Sequence, residues 1–399
     1  MRLLRVGVGV LAAGASFACH LRPATAVAST IGATDDYVSV NASRGLDAAS
    51  VVALEASFVR AGAHATTVEH QGTLDITSVV HANATTEATP PGSGFPMSTL
   101  AVDPGAIGAT MGDDVHHTTQ AGDLVVGETA ARLHGVHVGD VITMRGWNGN
   151  SQTLRVGTIA ADVRISGAEL VLSVTTAATL SFDRPFSVRA WGFAGRDAAA
   201  SAGMGLAQQW QSQPIRVRYS WKDRLLDDTL PQSHVKELLG EFWVVRAGGG
   251  TVRIDPAWKR AHIVVKTLPL VGQIRCHMIV ATAAAAALQE LQDAGLGSLV
   301  DGSDSRLHGG CFSARETRSL VGTAGHNLSR HTWGGAIDIN PSANPYGGPS
   351  HMDPRVITVF RRQGFVWGGS FLVPDPMHFE FVGQRHDAVC TPSGQNTSC

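Results

Sequence analysis

Ser329-Arg330-His331-Thr332-Trp333-Gly334-Gly335-Ala336-Ile337-Asp338-Ile339-Asn340, read with Asp375-Pro376-Met377-His378-Phe379-Glu380-Phe381, decides how the second half of the chain folds. In the first stretch Ala336, Asp338 and Asn340 alternate with Ile337 and Ile339, the period of a strand. In the second, Met377, Phe379 and Phe381 alternate with His378 and Glu380. Each predicts a short strand with an apolar face toward a core and a polar face toward a cleft. His331 stands just before the first strand, and Asp338 and His378 stand on the polar faces.

Two imidazoles and a carboxylate form a common donor set for catalytic zinc, with a fourth position left for water. Asp375 lies three residues before His378, and Pro376 biases it toward an extended backbone. A carboxylate so close to a ligand, and not itself a ligand, could accept a proton during hydrolysis. Two core histidines and a strand aspartate satisfied by hydrogen bonds would show the same spacing. Spacing alone leaves both readings open.

The ordered pattern Ser-x-His-x-x-Gly-x-Ala-x-Asp, followed by Asp-x-x-His-Phe-Glu, resembles the D-alanyl-D-alanine carboxypeptidase (VanY-like) family of zinc peptidases. The wider group includes D-Ala-D-Ala dipeptidases, L-Ala-D-Glu endolysins and the hedgehog signalling domain. The resemblance implies one Zn2+ per chain, held by His331, Asp338 and His378, with Asp375 as the proton acceptor. It also implies an arginine at the end of a glycine-led segment, holding the substrate carbonyl or carboxylate. Arg315 matches that position, and Arg318 is its rival. A guanidinium suits a carboxylate because it donates two parallel hydrogen bonds.

Ser329 matches the family serine, which would orient a ligand, bind substrate or cap the turn. Glu380 would orient an imidazole or stand as an exposed strand glutamate. Trp333 and Trp367 would wall a peptide groove or join the core. The segment Phe365-Val366-Trp367-Gly368-Gly369 also fits the family, but Ser370-Phe371 stands where many relatives carry an acid before an aromatic. His351 and Asp353 read as structural, and His326 and His386 fall outside the pattern. The resemblance covers roughly residues 230–390.

The chain has 399 residues, five cysteines, 16% charged residues and a formal charge of −2. That length predicts two or three domains, and the charge argues against a nucleic-acid-binding surface. Met1-Arg2-Leu3-Leu4-Arg5 and the apolar run 6–18 read as an export signal, with small-residue cleavage sites near 24–28. Cys19 raises a lipoprotein alternative. The expected product is extracellular or associated with the cell envelope. Cys276, Cys311, Cys390 and Cys399 would then remain, an even number suited to disulfides. Pairing Cys276 with Cys311 and Cys390 with Cys399 closes two local loops, and free thiols are the alternative.

The expected fold class is α+β: a zinc-peptidase domain with a small antiparallel sheet and flanking helices (230–390), and a mixed, β-rich accessory domain (29–196). A linker (197–229) would join them, with a signal (1–28) before and a tail (391–399) after. Within the accessory domain the pattern predicts a helix at 46–60, with Val51, Val52, Leu54 and Phe58 near one face. It also predicts a strand at 68–80, a loop at 81–105, a helix at 127–134, a hairpin of 141–144 with 153–156, and strands at 157–163 and 170–174. Farther on it predicts a lid hairpin within 241–258, a helix at 278–294, a strand at 296–301 and a helix at 355–363.

Asp113, Asp114, His116 and His117 read as a solvated loop rather than a metal site. Leu133-His134-Gly135-Val136-His137-Val138-Gly139-Asp140-Val141-Ile142, with Val156-Gly157-Thr158-Ile159, resembles the extracytoplasmic domain of MacB/FtsX-type permeases. That resemblance implies a scaffolding role and an envelope-protein partner. The functional expectation is an exported zinc metallopeptidase acting on peptidoglycan stem peptides as a D-alanyl-D-alanine carboxypeptidase. An L-Ala-D-Glu-type endopeptidase and a non-catalytic, zinc-stabilised wall-binding module are the alternatives.

Overall fold

The computed structural model describes residues 36–42, 45–182, 185–211, 215–221, 229–304, 311–317 and 327–383. The export segment, Cys19, Arg318, His326, His386, Cys390, Cys399 and the tail lie outside the described residues. The fold class is α+β.

The first half is built from β1 Tyr37–Ala42, β2 Ala65–His81, β3 Ala84–Ala88, β4 Phe95–Val102, β5 Leu124–Gly127, β6 Val141–Arg145, β7 Ser151–Ala160, β8 Leu170–Ser173, β9 Pro185–Trp191 and β10 Ile215–Tyr219. β2 organises them. Its first part pairs with β9 and β4, and its second part pairs with β6 and β3. Register shifts between Glu69 and His70 and between Ile76 and Ser78 mark where it bends from one set of partners to the next. Because of that bend the ladder β2-β4-β8-β5-β7-β6 returns to β2 and closes a ring. Leu74, Met97, Leu124, Ile142, Val156 and Leu170 are among the side chains that fill one core of this half. The β9-β1-β10 flap carries a second core, packed under the helices Ala48–Arg60 and Arg196–Gln209.

Several expectations are corrected here. Residues 81–105 hold two strands, β3 and β4, rather than loop. Their Thr and Pro content suggested a loop, but cross-strand partners outside the segment decide. The first part of the expected linker (197–229), rich in Ala, Ser, Gly and Gln, is instead the helix Arg196–Gln209, whose Ala199, Ala202 and Leu206 are buried. β10, beyond it, completes the flap by pairing with β1. Asp113–Gln120 is a helix rather than a loop; Asp114 pairs with Arg164, and His116 bonds to the Pro104 carbonyl. In the first helix Leu54 and Phe58 are buried, but Val52 is 65% exposed.

The second half contributes the hairpin β11 Val244–Gly248 with β12 Thr251–Ile254, the pair β13 Ile263–Leu268 with β14 Gly272–His277, and a three-stranded sheet. That sheet comprises β15 Ala336–Asp338, β16 Phe365–Trp367 and β17 His378–Phe381, with β17 in the middle. The helix Met278–Asp293 buries Ala281, Ala284, Ala287, Leu288 and Leu291 at helical spacing. Residues 297–299 form a 3-10 turn rather than the expected strand.

The described residues of the two halves cluster into one compact unit. Gly94 bridges to Val244, and Thr73 Oγ1 donates to Asn327 Oδ1 at 2.7 Å. Arg246 pairs with Asp75 at 3.0 Å and with Glu316 at 2.7 Å. At the centre of the seam, on the helix Gln232–Leu239, Lys236 is fully buried. Its Nζ lies 2.8 Å from Glu169, 3.0 Å from Glu241 and 2.7 Å from the Pro96 carbonyl. Gln232 and the Ser98 amide also donate to Glu169.

His134 adjoins this cluster, bonded to Glu87 at 2.7 Å with Glu241 at 3.5 Å. Burial opposes its charge, but the two carboxylates outweigh burial and push its pKa up to about 9. A raised folded-state pKa stabilises the protein fully below the unfolded value near 6.5 and ceases to do so as pH rises through about 9. Thermal unfolding should therefore show a fall in stability on the order of a few kcal/mol between those values. A His134→Gln variant should lack that part of the fall; an unchanged pH slope in the variant would refute the assignment.

Candidate active site

The antiparallel register of β15 and β17 sets Asp338 directly opposite His378 and Ala336 opposite Glu380. Directly opposed residues share a face with their Cβ atoms about 5 Å apart, so strand pairing alone brings two of the donors together. The third comes from the 3-10 turn Arg330–Trp333. Ser329 caps that turn, its side chain accepting from the His331 amide. Gly334 ends it at φ +62, where a Cβ would lie 2.5 Å from the His277 amide nitrogen. Only glycine satisfies both the left-handed backbone and that close approach.

The donor atoms of His331, Asp338 and His378 lie within 4.8 Å of one another. Asp338 Oδ1 is 3.4 Å from His331 Nε2 and 3.2 Å from His378 Nδ1. His331 Nδ1 bonds to the Cys311 carbonyl at 2.9 Å. A carbonyl only accepts, so this Nδ1 carries the proton and Nε2 presents a lone pair to the cluster. Nε2 is buried and has no hydrogen-bond partner. On the other side Glu380 Oε2 lies 3.8 Å from His378 Nε2, while its Oε1 takes a 2.9 Å bond from Arg330. Arg330 is fixed in turn by the Leu230 carbonyl at 2.6 Å.

The electrostatics call for a cation. Burial disfavours the Asp338 charge, but the two imidazoles outweigh it and hold its carboxyl well below the usual range. Burial likewise disfavours a charged His378, yet Asp338, Glu380 and the nearby charge of Asp375 push its pKa up to about 10. A buried lone pair at His331 Nε2, an ionised Asp338 and this negative surround together fit a divalent ion of zinc type.

Asp375 sits on the loop entering β17; its amide donates to the Gly368 carbonyl at 2.9 Å, and its carbonyl accepts from the His378 amide at 3.0 Å. Arg315 is tied to the ligand turn through its backbone: its carbonyl accepts from Thr332 Oγ1 at 2.7 Å and from the Ser329 amide at 3.1 Å. Its Nη1 donates to the Glu316 carbonyl. Trp367 is partly exposed beside this loop, bonded to the Pro376 carbonyl.

Two residues with open alternative roles, Trp333 and Ser329, are placed by burial. Trp333 is fully buried, bonded to the Gly240 carbonyl and packed on Phe242, because its place in a tight turn points the indole inward. Ser329 is 5% exposed and takes the capping role among its expected alternatives. β17 also lacks the open polar face expected of it, since His378 and Glu380 are both buried. Asp353 caps the helix Pro354–Arg362 and pairs with Arg355, a structural role.

Sequence reading missed the Cys311 carbonyl, the Arg330–Glu380 pair and Phe371, whose ring packs edge-on 5.9 Å from His378. Glu380, on the same strand face as His378, carried a faint signal of the second of these. Cys276 and Cys311 form a disulfide, with Cα atoms 4.7 Å apart. The bridge anchors the carbonyl that fixes His331. Replacing both cysteines with Ser should cost about 2–4 kcal/mol of stability and weaken divalent-ion binding about tenfold or more. Chemical unfolding and metal titration of the variant would check both effects, and unchanged metal affinity would dissociate the bridge from the site.

With this geometry in view, the sequence comparisons are informative. Residues 323–381 match the D-alanyl-D-alanine carboxypeptidase family. That segment contains His331, Asp338, Asp375 and His378, and the match supports peptidase activity. No curated protein matches the chain. One similar solved structure is the extracellular domain of the noncanonic ABC-type transporter YknZ from Gram-positive bacteria. The two are 10% identical with a TM-score of 0.27, over 46% of this chain and 99% of that one. No helix among the described residues is long and apolar enough to cross a membrane.

Proposed function

We propose that the chain is an exported, zinc-dependent peptidase of peptidoglycan stem peptides, acting as a D-alanyl-D-alanine carboxypeptidase. The observation that carries this reading is the gathering of His331, Asp338 and His378 beside Asp375, inside the family-matched segment. Those three residues would hold the zinc. When bound, zinc supplies a Lewis acid that makes water nucleophilic near neutral pH and polarises a carbonyl.

The chain's own groups do the rest. Asp375 takes a proton from the attacking water and delivers it to the leaving amine, so that the amide C–N bond breaks with a neutral amine released. Arg315 donates to the developing oxyanion or to the substrate's terminal carboxylate. The Cys311 carbonyl and Glu380 hold the two imidazoles in orientation. Trp367 flanks the peptide.

Incubating the zinc-loaded protein with purified muropeptides, followed by mass spectrometry, tests the proposal. Loss of a single alanine is the expected result. Loss of Ala-Ala would make it a dipeptidase, and a cut within the stem would make it an endopeptidase. Zinc binding with no product from any muropeptide would overturn the enzymatic reading in favour of a wall-binding module.

A further inference from the structure

We propose that His81, His137 and Asp140 form a second site for a borderline divalent cation, on the strand ring of the first half and outside the candidate peptidase centre. These residues are brought together by two independent features of the fold. The β2–β6 register pairs Val80 with Val141, which places His81, the last residue of β2, alongside Asp140, just ahead of β6. A tight turn then adds the third residue. The Asp140 amide donates to the His137 carbonyl at 3.1 Å, and Asp140 Oδ2 accepts from the His137 amide at 2.8 Å. Gly139, at φ +98, supplies the backbone this turn requires.

The resulting geometry is that of a ligand set. Each residue offers one donor atom, all within 4.8 Å of one another. His81 Nδ1 lies 2.6 Å from Asp140 Oδ1, His137 Nδ1 lies 3.7 Å from Oδ2, and the two rings are 5.0 Å apart. The carboxylate is 3% exposed and fixed, whereas the imidazoles are 49% and 67% exposed. A cation arriving from solvent therefore meets two adjustable nitrogens above one anchored oxygen.

Two imidazoles and a carboxylate select Zn2+, Ni2+ or Cu2+ over Mg2+ or Ca2+, which take all-oxygen shells. The remaining coordination positions face solvent and can take water or a donor from another molecule. The His81–Asp140 bond alone would account for two of the groups. His137 Nδ1, at 3.7 Å, is too far from the carboxylate for a hydrogen bond and is left available as the third donor.

Zinc titration calorimetry on the chelator-stripped full-length protein tests this site. His81→Ala and His137→Ala each remove one equivalent of tightly bound Zn2+ per chain relative to the unaltered protein. They do so whatever the His331 centre holds, so failure here is distinguishable from failure of the peptidase reading. Both side chains are exposed, and circular dichroism should show the fold retained. With Cu2+ as the probe, electron paramagnetic resonance should report two imidazole nitrogens on this ion, a signal lost in His137→Ala. Unchanged Zn2+ stoichiometry and affinity in both variants, with the fold intact, would overturn the proposal.

Discussion

Replacing Asp375 with Ala should lower kcat on a muropeptide substrate by about 10²–10⁴-fold, the range for removing a positioned general base, while bound zinc stays at one equivalent in the peptidase centre. Asp375 is close enough for its charge to act on His378, but it lies outside the cluster of three donor atoms. A role in proton transfer and a role in ligation therefore make opposite predictions about metal content. Steady-state kinetics together with elemental analysis of the purified variant separates them. Loss of zinc along with activity would make Asp375 a ligand or a ligand support. Full activity with zinc retained would remove it from the mechanism.

Replacing Lys236 with Ala should destabilise the protein by about 3–5 kcal/mol, the usual cost of breaking a buried ion pair by removing one partner. Glu169 would keep a charge in a fully buried setting, with Glu241 close to it. Denaturant unfolding measures the loss. Lys236→Met should do little better, since it restores volume but not charge. The loss should recover only when Glu169 is replaced by Gln in the same chain. An effect below about 1 kcal/mol would mean that water relieves the seam. The same cluster bears on the first-half strands as a detachable module. Removing them would leave Lys236, Gln232 and Arg246 without their partners on that side, so a truncated peptidase half should fold poorly.

Much of the candidate centre was legible because strand alternation is a local property. Asp338 and His378 fall on matched polar positions, and the register that opposes them follows from burying Ile337 and Phe379 on the other face. The reading stopped where contacts span the chain. Nothing near Lys236 announces Glu169, and nothing in β2 announces that its bend will close a ring. Trp333 was open to both readings because an aromatic beside a ligand histidine suits either a groove or a core. The 3-10 turn, invisible to periodicity, decided for the core. Composition misled at 198–213, where alanine-rich sequence is good helix former as readily as it is spacer.

The cross-strand placement of Asp338 against His378 also limits how such a chain can change length. One residue inserted into β15 or β17 would rotate a donor into the hydrophobic interior, so additions and deletions there are lethal to the centre. The segments at 341–353 and 369–374 carry none of the donors and no such constraint on parity. Changes of length in those segments would leave the opposed register of Asp338 and His378 as it is.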